Sequence, residues 1–178
     1  MIETEVKIRI DQLESLTTLL NDLPLEVPRH FEENQLFDRS EELKSNGQAL
    51  RIRTAGDMHI LTFKGPVIPA DDGIKRRTEW ECCVSDAQTL RQILAGMGYS
   101  PVFRYQKYRT IYRFDAHTQI MLDETPIGNF IEVEGPAESI HKALVYLHLD
   151  RAPRVLLSYP KLFRQEFGPN RDMIFEGT

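Results

Sequence analysis

The sequence contains only two cysteines, and they are neighbours, Cys82 and Cys83. Adjacent residues of a strand point to opposite faces of a sheet, so a bond between these two thiols is not expected. Neither has partners at the spacing that a zinc site needs. We therefore expect a reduced, cytoplasmic protein with one thiol packed and the other exposed.

Long apolar runs and an excess of basic residues are also missing. No uninterrupted apolar stretch reaches membrane length, and charge begins at Glu3, which argues against a membrane span and a signal peptide. The formal net charge is -5, whereas a general nucleic-acid binder needs a basic surface. We expect neither a membrane nor a nucleic acid as partner, although a local basic cluster can still bind a small anion.

The pattern of apolar residues divides the chain into about eight strands and three or four helices. The predicted strands are Ile2–Ile10, His30–Asp38, Ala49–Thr54, His59–Lys64, Lys75–Val84, Val102–Asp115, Gln119–Asp123 and Asn129–Glu134. Helices are predicted after Asp11, after Ser85 or Asp86, over about Ala137–Leu149, and after Ser158. This order predicts one α+β domain over 1–178, with an antiparallel sheet that closes into a barrel around one small ligand.

Charged residues recur on one face of successive predicted strands. These faces carry Glu3, Glu5, Lys7 and Arg9; Arg51 and Arg53; Lys64; Arg77, Glu79 and Glu81; Lys107, Arg109 and Arg113; and Glu132 and Glu134. One such strand would be interpreted as solvent-facing, but six together indicate charged faces that point into a barrel, with apolar faces packed outward under helices. Trp80, in opposite phase to the charges of its strand, is accordingly expected under a helix.

Many arginines and lysines in one cavity repel one another unless an anion lies among them. Polyphosphate is the natural candidate, because guanidinium groups bind phosphate oxygens in pairs and lysine adds point charge. The carboxylates then need a cation, and hard oxygen ligands suit Mg²⁺ or Mn²⁺. The two signs of charge together predict a polyphosphate bound together with a divalent cation.

A series of short segments, taken in order, matches a known family. They are ETEVK at 3–7, LFD at 36–38, GQALRIR at 47–53, LTFKG at 61–65, RTEWE at 77–81, KYR at 107–109, LDE at 122–124, GNFIEVEG at 128–135 and SY at 158–159. Together they resemble the CYTH superfamily, the triphosphate tunnel metalloenzymes, which include class IV adenylate cyclases, thiamine triphosphatases and RNA triphosphatases. The ExExK segment alone would be a weak signal, but the ordered set covers most of the chain.

The resemblance implies an eight-stranded tunnel in which acidic residues bind metal and basic residues bind the triphosphate. By position, the catalytic or metal-binding residues would be Glu3, Glu5, Asp123, Glu132 and Glu134. The triphosphate would be bound by Lys7, Arg51, Arg53, Lys64, Lys107 and Arg109. Further candidates for the tunnel are Arg77, Glu79 and Glu81. The oligomeric state is left open, with a homodimer paired through outer strands as one alternative.

The reaction is not decided by these residues. Hydrolysis would release the terminal phosphate of inorganic, thiamine or nucleoside triphosphate, whereas cyclisation would convert ATP to cyclic AMP and pyrophosphate. The FKGP, Gly98-Tyr99 and GNFIEVEG segments resemble the cyclase branch. However, the His-Phe pair that class IV cyclases carry just before ExExK is absent from this sequence, which begins two residues before Glu3. We place triphosphate hydrolysis first, class IV adenylate cyclase second, and a non-catalytic binding module third.

Overall fold

The computed structural model describes residues 1–176, and eight antiparallel strands in it close into one barrel. The strands are β1 Ile2–Ile10, β2 Leu25–Asp38, β3 Ala49–Ala55, β4 Met58–Ile68, β5 Lys75–Val84, β6 Ser100–Arg113, β7 Gln119–Thr125 and β8 Gly128–Glu134. They are hydrogen-bonded in the order β1-β5-β4-β3-β2-β6-β7-β8, and β8 pairs with β1. The predicted barrel is confirmed. Positions 177 and 178 of the predicted domain lie outside the described residues.

The described chain also contains the helices α1 Glu14–Asn21, α2 Glu42–Ser45, α3 Ala87–Gly96, α4 Ala137–Tyr146 and α5 Tyr159–Phe167. The Asp86 carboxylate caps α3, because it accepts from the Thr89 backbone N–H at 2.9 Å. Two features differ from the prediction: α1 begins at Glu14 rather than directly after Asp11, and the short α2 is a helix in addition to the predicted ones. Within residues 1–176, every helix is too short to cross a bilayer.

The strand β2 begins at Leu25, well before the predicted His30, although Pro28 interrupts it. Proline has no N–H to donate, and the pairing with β6 shifts register on both sides of Val27. From His30 to Leu36 the pairing with β6 is regular. This regular part decides which β2 side chains face the inside of the barrel.

Two of the three apolar clusters among the described residues lie between the barrel wall and the helices. Val6, Ile8 and Ile10 of β1 pack outward in a cluster with α1 and α4, and a second outer cluster joins α3 to β2 and β3. The third cluster joins α5 to the inward faces of β6 and β8 and includes Tyr105 and Tyr159, which border the lumen. Burying these faces contributes about 25 cal/mol per Å² of apolar area. Since strand side chains alternate, the same packing turns Glu5 and Lys7 into the lumen.

The outer face of β5 departs from this pattern. Trp80 is 60% exposed and its ring stacks on Phe63, with the ring centroids 5.6 Å apart. The prediction that a helix covers Trp80 is therefore wrong. Cys82 and Cys83 are both exposed, so the prediction of one packed thiol is wrong as well. The reason is that α3 packs toward β2 and β3 and leaves this part of β5 uncovered.

Candidate functional site

The charged faces of the strands meet around one lumen, a cavity of about 360 Å³. Its wall contains every predicted site residue except one, namely Glu3, Glu5, Lys7, Arg51, Arg53, Lys64, Arg77, Glu79, Glu81, Lys107, Arg109, Glu132 and Glu134. The exception is Asp123, which is completely buried. Strand alternation thus brings the predicted residues together, while their chemical roles stay predictions.

In the free protein, carboxylates of the lumen pair with its lysines. Lys64 Nζ lies 2.8 Å from Glu3 Oε1 and 2.5 Å from Glu79 Oε2, and Lys75 Nζ lies 2.5 Å from Glu5 Oε1. Burial opposes ionisation of Glu3, but the hydrogen bond with Glu79 and the charge of Lys64 outweigh it and lower the Glu3 pKa to about 2. Burial and the hydrogen bond with Glu3 raise the pKa of Glu79 to about 8, so Glu79 carries the proton of this pair.

Acidic side chains crowd together where β1 pairs with β8. Glu5 and Glu134 are direct partners in this ladder, and Glu3 precedes Glu5 on the same face. Burial, followed by the negative charges of Glu3 and Glu5, raises the pKa of Glu134 to about 7. Ionisation of Glu134 adds a negative charge next to Glu3 and Glu5, and a bound cation would offset that charge.

The buried Asp123 holds two basic side chains in position. Its carboxylate accepts from Lys107 Nζ at 2.9 Å, from Arg109 Nε at 2.6 Å and from the Tyr159 hydroxyl at 2.8 Å. Arg109 also donates to Glu132. Because these donors surround it, Asp123 acts in this structure as an anchor for Lys107 and Arg109, both of which line the lumen.

Glu32 of β2 belongs to the site but is absent from the sequence prediction. Its side chain is 4% exposed, and its carboxylate lies 3.6 Å from Lys107 Nζ and 3.7 Å from Arg53 Nη1. Burial opposes ionisation, but the charge of Lys107 and further partners outweigh it and hold the Glu32 pKa well below its usual range. The signal is weak in the sequence because Asn34 and Leu36 share its face, so β2 lacks the repeated charge of the other strands.

Lys75 and Tyr159 are also lumen residues that the prediction lacks. Lys75 has the same phase on β5 as Arg77, so strand alternation alone was sufficient to identify it. Tyr159 comes from the first turn of α5, and its ring lies 3.9 Å from Lys7 Nζ, measured to the ring centroid. No strand pattern reports such a contribution, and only its place in the SY segment marks it in the sequence.

His30 lies beside Glu32. Its Nδ1 lies 2.9 Å from the Pro28 carbonyl oxygen, and its Nε2 lies 3.3 Å from Glu32 Oε1. Both neighbours are acceptors, so both ring nitrogens donate only when the imidazole is protonated. The hydrogen bond with Glu32 accordingly raises the pKa of His30, despite partial burial.

The donor chemistry of the β1–β8 end fits a hard divalent cation. Glu3, Glu5 and Glu134 offer carboxylate oxygens, the ligands that Mg²⁺ and Mn²⁺ prefer. Within residues 1–176, no three acidic, histidine or cysteine side chains lie close enough to hold an ion as they stand. Instead, Glu3 forms an ion pair with Lys64, and Glu5 forms one with Lys75. A cation bound here would take over the place of those lysines.

Comparison with known proteins identifies the family of this chain. The family model described as the CYTH domain matches residues 1–149. A protein of Methanocaldococcus jannaschii named "Putative adenylate cyclase" is 30% identical over 144 residues, which cover 80% of this chain and 81% of the relative.

Solved structures share the fold. A "putative adenylate cyclase" from Vibrio parahaemolyticus has a TM-score of 0.79 at 20% identity, and the match covers 92% of this chain and 98% of that one. A Hippeastrum protein, described as an adenylyl cyclase homologue with a dominant triphosphatase activity, has a TM-score of 0.69 at 20% identity, covering 92% and 96%. At these identities the likeness concerns the fold. The match of the family model to most of the chain goes further, and it shows that this chain belongs to the CYTH family.

Proposed function

We propose that this protein is a divalent-metal-dependent enzyme that hydrolyses the terminal phosphate of a linear triphosphate. The observation that carries the proposal is the set of basic side chains that converge in one closed lumen: Lys7, Arg51, Arg53, Lys64, Lys75, Arg77, Lys107 and Arg109. Cations arranged along a confined lumen suit a linear polyanion, because each phosphate can meet guanidinium or ammonium groups. Inorganic, thiamine and nucleoside triphosphates share this chemistry.

The basic groups are held in place before the substrate arrives. Arg109 uses Nε and Nη2 on Asp123, and Lys107 donates to the same carboxylate. Anchored side chains lose little conformational entropy when a ligand binds, so more of the interaction energy appears as affinity. The same preorganisation stabilises charge that develops on the phosphate oxygens during reaction.

Glu3, Glu5 and Glu134, with the neighbouring Glu132, would hold Mg²⁺ or Mn²⁺. When bound, the cation neutralises phosphate charge and polarises a phosphoryl oxygen. The chain's own proton acceptor is the ionised form of Glu79; because its pKa is about 8, the fraction of Glu79 in this form, and with it the rate, increases as the pH rises above neutrality.

Glu79 accepts a proton from the water that attacks the terminal phosphorus. A bond forms between the water oxygen and phosphorus, while the bridging P–O bond breaks and its electron pair leaves with the diphosphate. Lys64, whose Nζ lies 2.5 Å from Glu79 Oε2, keeps positive charge beside the reacting group. Arginine and lysine neutralise the oxygens of the terminal phosphate in the same step.

Cyclisation of ATP is the second candidate, because the Methanocaldococcus and Vibrio proteins carry the cyclase name. In that reaction the ribose 3′-hydroxyl attacks the α-phosphorus, so the adenine ring needs a surface to stack on. The aromatic residues of the lumen, Tyr105 and Tyr159, pack against each other, and Lys7 Nζ lies 3.9 Å from the centroid of the Tyr159 ring. Because these rings are already in contact with protein groups, hydrolysis is favoured, in line with the activity described for the Hippeastrum protein.

One panel of reactions tests the proposal. The purified protein is incubated with Mg²⁺ or Mn²⁺ and, separately, with inorganic triphosphate, thiamine triphosphate and ATP, and phosphate, pyrophosphate and cyclic AMP are measured. Glu79→Gln serves as the variant without the proton acceptor. Glu138→Gln, on the exposed face of α4, is the matched control for loss of one carboxylate.

Phosphate release by the wild type and by Glu138→Gln, with a loss in Glu79→Gln, is the expected result. Cyclic AMP together with pyrophosphate from ATP would establish the cyclase instead. Tight binding of all three compounds without any product would show a non-catalytic binding module.

A further inference from the structure

Three lumen residues form a row across neighbouring strands. Arg51 of β3 pairs with Thr62 of β4, and Thr62 pairs with Glu81 of β5. Thr62 is completely buried, whereas the Glu81 side chain is 36% exposed. Cys83, two residues further along the same face of β5, is exposed as well. The row therefore runs from the buried wall to the mouth of the lumen, and Glu81 lies at the mouth.

Three donor groups lie around one oxygen of the Glu81 side chain. Oε1 accepts from Thr62 Oγ1 at 2.7 Å and from Arg51 Nη2 at 3.2 Å, and it lies 3.6 Å from Arg53 Nη2. A hydroxyl and two guanidinium groups around one oxygen are what proteins offer to a phosphate oxygen. In the free protein the Glu81 carboxylate fills this place.

The Arg51 guanidinium has a further N–H group that an anion can use. Its Nη1 donates to the Tyr105 hydroxyl at 3.3 Å, which holds the guanidinium independently of Glu81. Its Nε is buried and has no hydrogen-bond partner among residues 1–176. A buried N–H without an acceptor is unfavourable, so an incoming anion gains a bond that the free protein lacks.

We propose that Arg51, Arg53 and Thr62 form a phosphate subsite at the mouth of the lumen, and that Glu81 occupies this subsite until the substrate displaces it. The ligand class, a linear triphosphate, rests on the proposed function; the new assignments are Thr62 as a binding residue and Glu81 as an internal competitor. Displacement is feasible because Glu81 is partly exposed, so its carboxylate can turn into water rather than remain buried without a partner.

Substitutions at Glu81 and Thr62 distinguish the effect of filling the subsite from the effect of the charge of Glu81. Glu81→Gln removes the negative charge, whereas Glu81→Asp keeps the charge on a side chain one methylene shorter, which withdraws it from Thr62 and Arg51. Thr62→Val removes the hydroxyl with little change of volume, and Thr62→Ser restores it. Glu138→Gln controls for the change in net charge at an exposed helix position.

The experiment is calorimetric titration of each variant with inorganic triphosphate in the absence of divalent metal, so that binding is measured without turnover. We expect Glu81→Gln to bind about tenfold more tightly and Thr62→Val about tenfold more weakly than the wild type. Glu81→Asp should also tighten binding, by roughly threefold. Thr62→Ser and Glu138→Gln should match the wild type.

Unchanged or weaker binding by both Glu81 variants overturns the subsite, even if Thr62→Val fails to fold in circular dichroism. Tightening by Glu81→Gln but not by Glu81→Asp shows a general effect of charge and also overturns the occupancy. If binding follows the expected pattern but no hydrolysis occurs when Mg²⁺ or Mn²⁺ is added, the proposed function is wrong and the subsite is supported. No binding by the wild type or any variant removes the subsite, and a lack of hydrolysis after Mg²⁺ or Mn²⁺ is added removes the proposed function as well.

Discussion

Glu5 of β1 and Glu134 of β8 are direct partners in the ladder that closes the barrel. Both face the lumen, so the pairing that completes the fold also brings two acids together. Burial, followed by repulsion from Glu3 and Glu5, raises the pKa of Glu134 to about 7. A cation bound where β1 pairs with β8 would therefore reduce the repulsion between these carboxylates.

The first prediction concerns these acids. Glu5→Gln and Glu134→Gln should each lower metal-dependent phosphate release by at least about 100-fold, because a neutral amide is a poor ligand for Mg²⁺ or Mn²⁺. Steady-state rates over a metal titration measure the effect, and circular dichroism checks the fold. The matched control is Glu166→Gln, whose partner Arg9 lies outside the lumen wall. An unaltered metal requirement in both lumen variants would contradict the assignment.

The second prediction is that the metal-free protein loses stability as the pH rises from about 5 to about 8.5. Glu134 and Glu79 have folded-state pKa values of about 7 and about 8, against an ordinary value of 4.5. A raised pKa means that the folded state binds the proton more tightly. The stabilisation is present below the unfolded pKa and is lost as the pH rises through the folded pKa.

Thermal denaturation of the metal-free protein should therefore show a melting temperature that falls across this window. The raised pKa of His30 acts in the same direction. Mn²⁺ should raise the melting temperature more at pH 8 than at pH 5.5, because it competes with protons for the same carboxylates. In Glu134→Gln the pH dependence should become shallower. A melting temperature that rises between these pH values in the wild type would refute the linkage.

The third prediction concerns the length of the ligand. Arg53→Ala and Lys107→Ala should weaken binding of inorganic triphosphate by about 10- to 100-fold and binding of monophosphate by much less, because a longer anion contacts more of the lumen's cations. Calorimetric titration with both ligands measures the difference. Arg113→Ala, at an exposed strand end paired with Glu26, is the control. Equal losses for the two ligands would argue against a linear triphosphate site.

The fourth prediction concerns Tyr159. Its buried hydroxyl donates to Asp123 Oδ2 at 2.8 Å, so Tyr159→Phe should lower the free energy of unfolding by about 1.5 kcal/mol. The comparison variant is Tyr146→Phe, which loses a bond of 2.9 Å to the neutral Leu19 carbonyl and should cost about 0.5–1 kcal/mol. Urea denaturation of both variants measures the two losses. A smaller effect at Tyr159 than at Tyr146 would mean that Asp123 does not depend on this donor.

The lumen side chains were predictable where a strand repeats its charges. In β1 and β5 the charges alternate within one short segment. The sequence alone therefore shows that Glu3 and Glu5 share one face of β1, and that Arg77 and Glu79 share one face of β5. Glu32 was missed because the next two residues on its face, Asn34 and Leu36, are uncharged and interrupt the repeat. The exposed Trp80 was predicted incorrectly for a related reason: alternation tells which side of the sheet a residue takes, but not whether a helix covers it.

By itself, the sequence determined the strands, their inward and outward faces, and hence a barrel with acids and bases inside. Those properties follow from periodicity within short segments, which neighbouring residues decide. Only the tertiary structure decided which acid meets which base: Asp123 with Lys107 and Arg109, and Glu81 with Arg51 and Thr62. It also brought Tyr159 from α5 to the lumen. The contacts of Asp123 depend on the register of β6 with β7, and those of Glu81 on the register of β3, β4 and β5, whereas the place of Tyr159 depends on how α5 packs. The pattern within one segment encodes neither register nor helix packing.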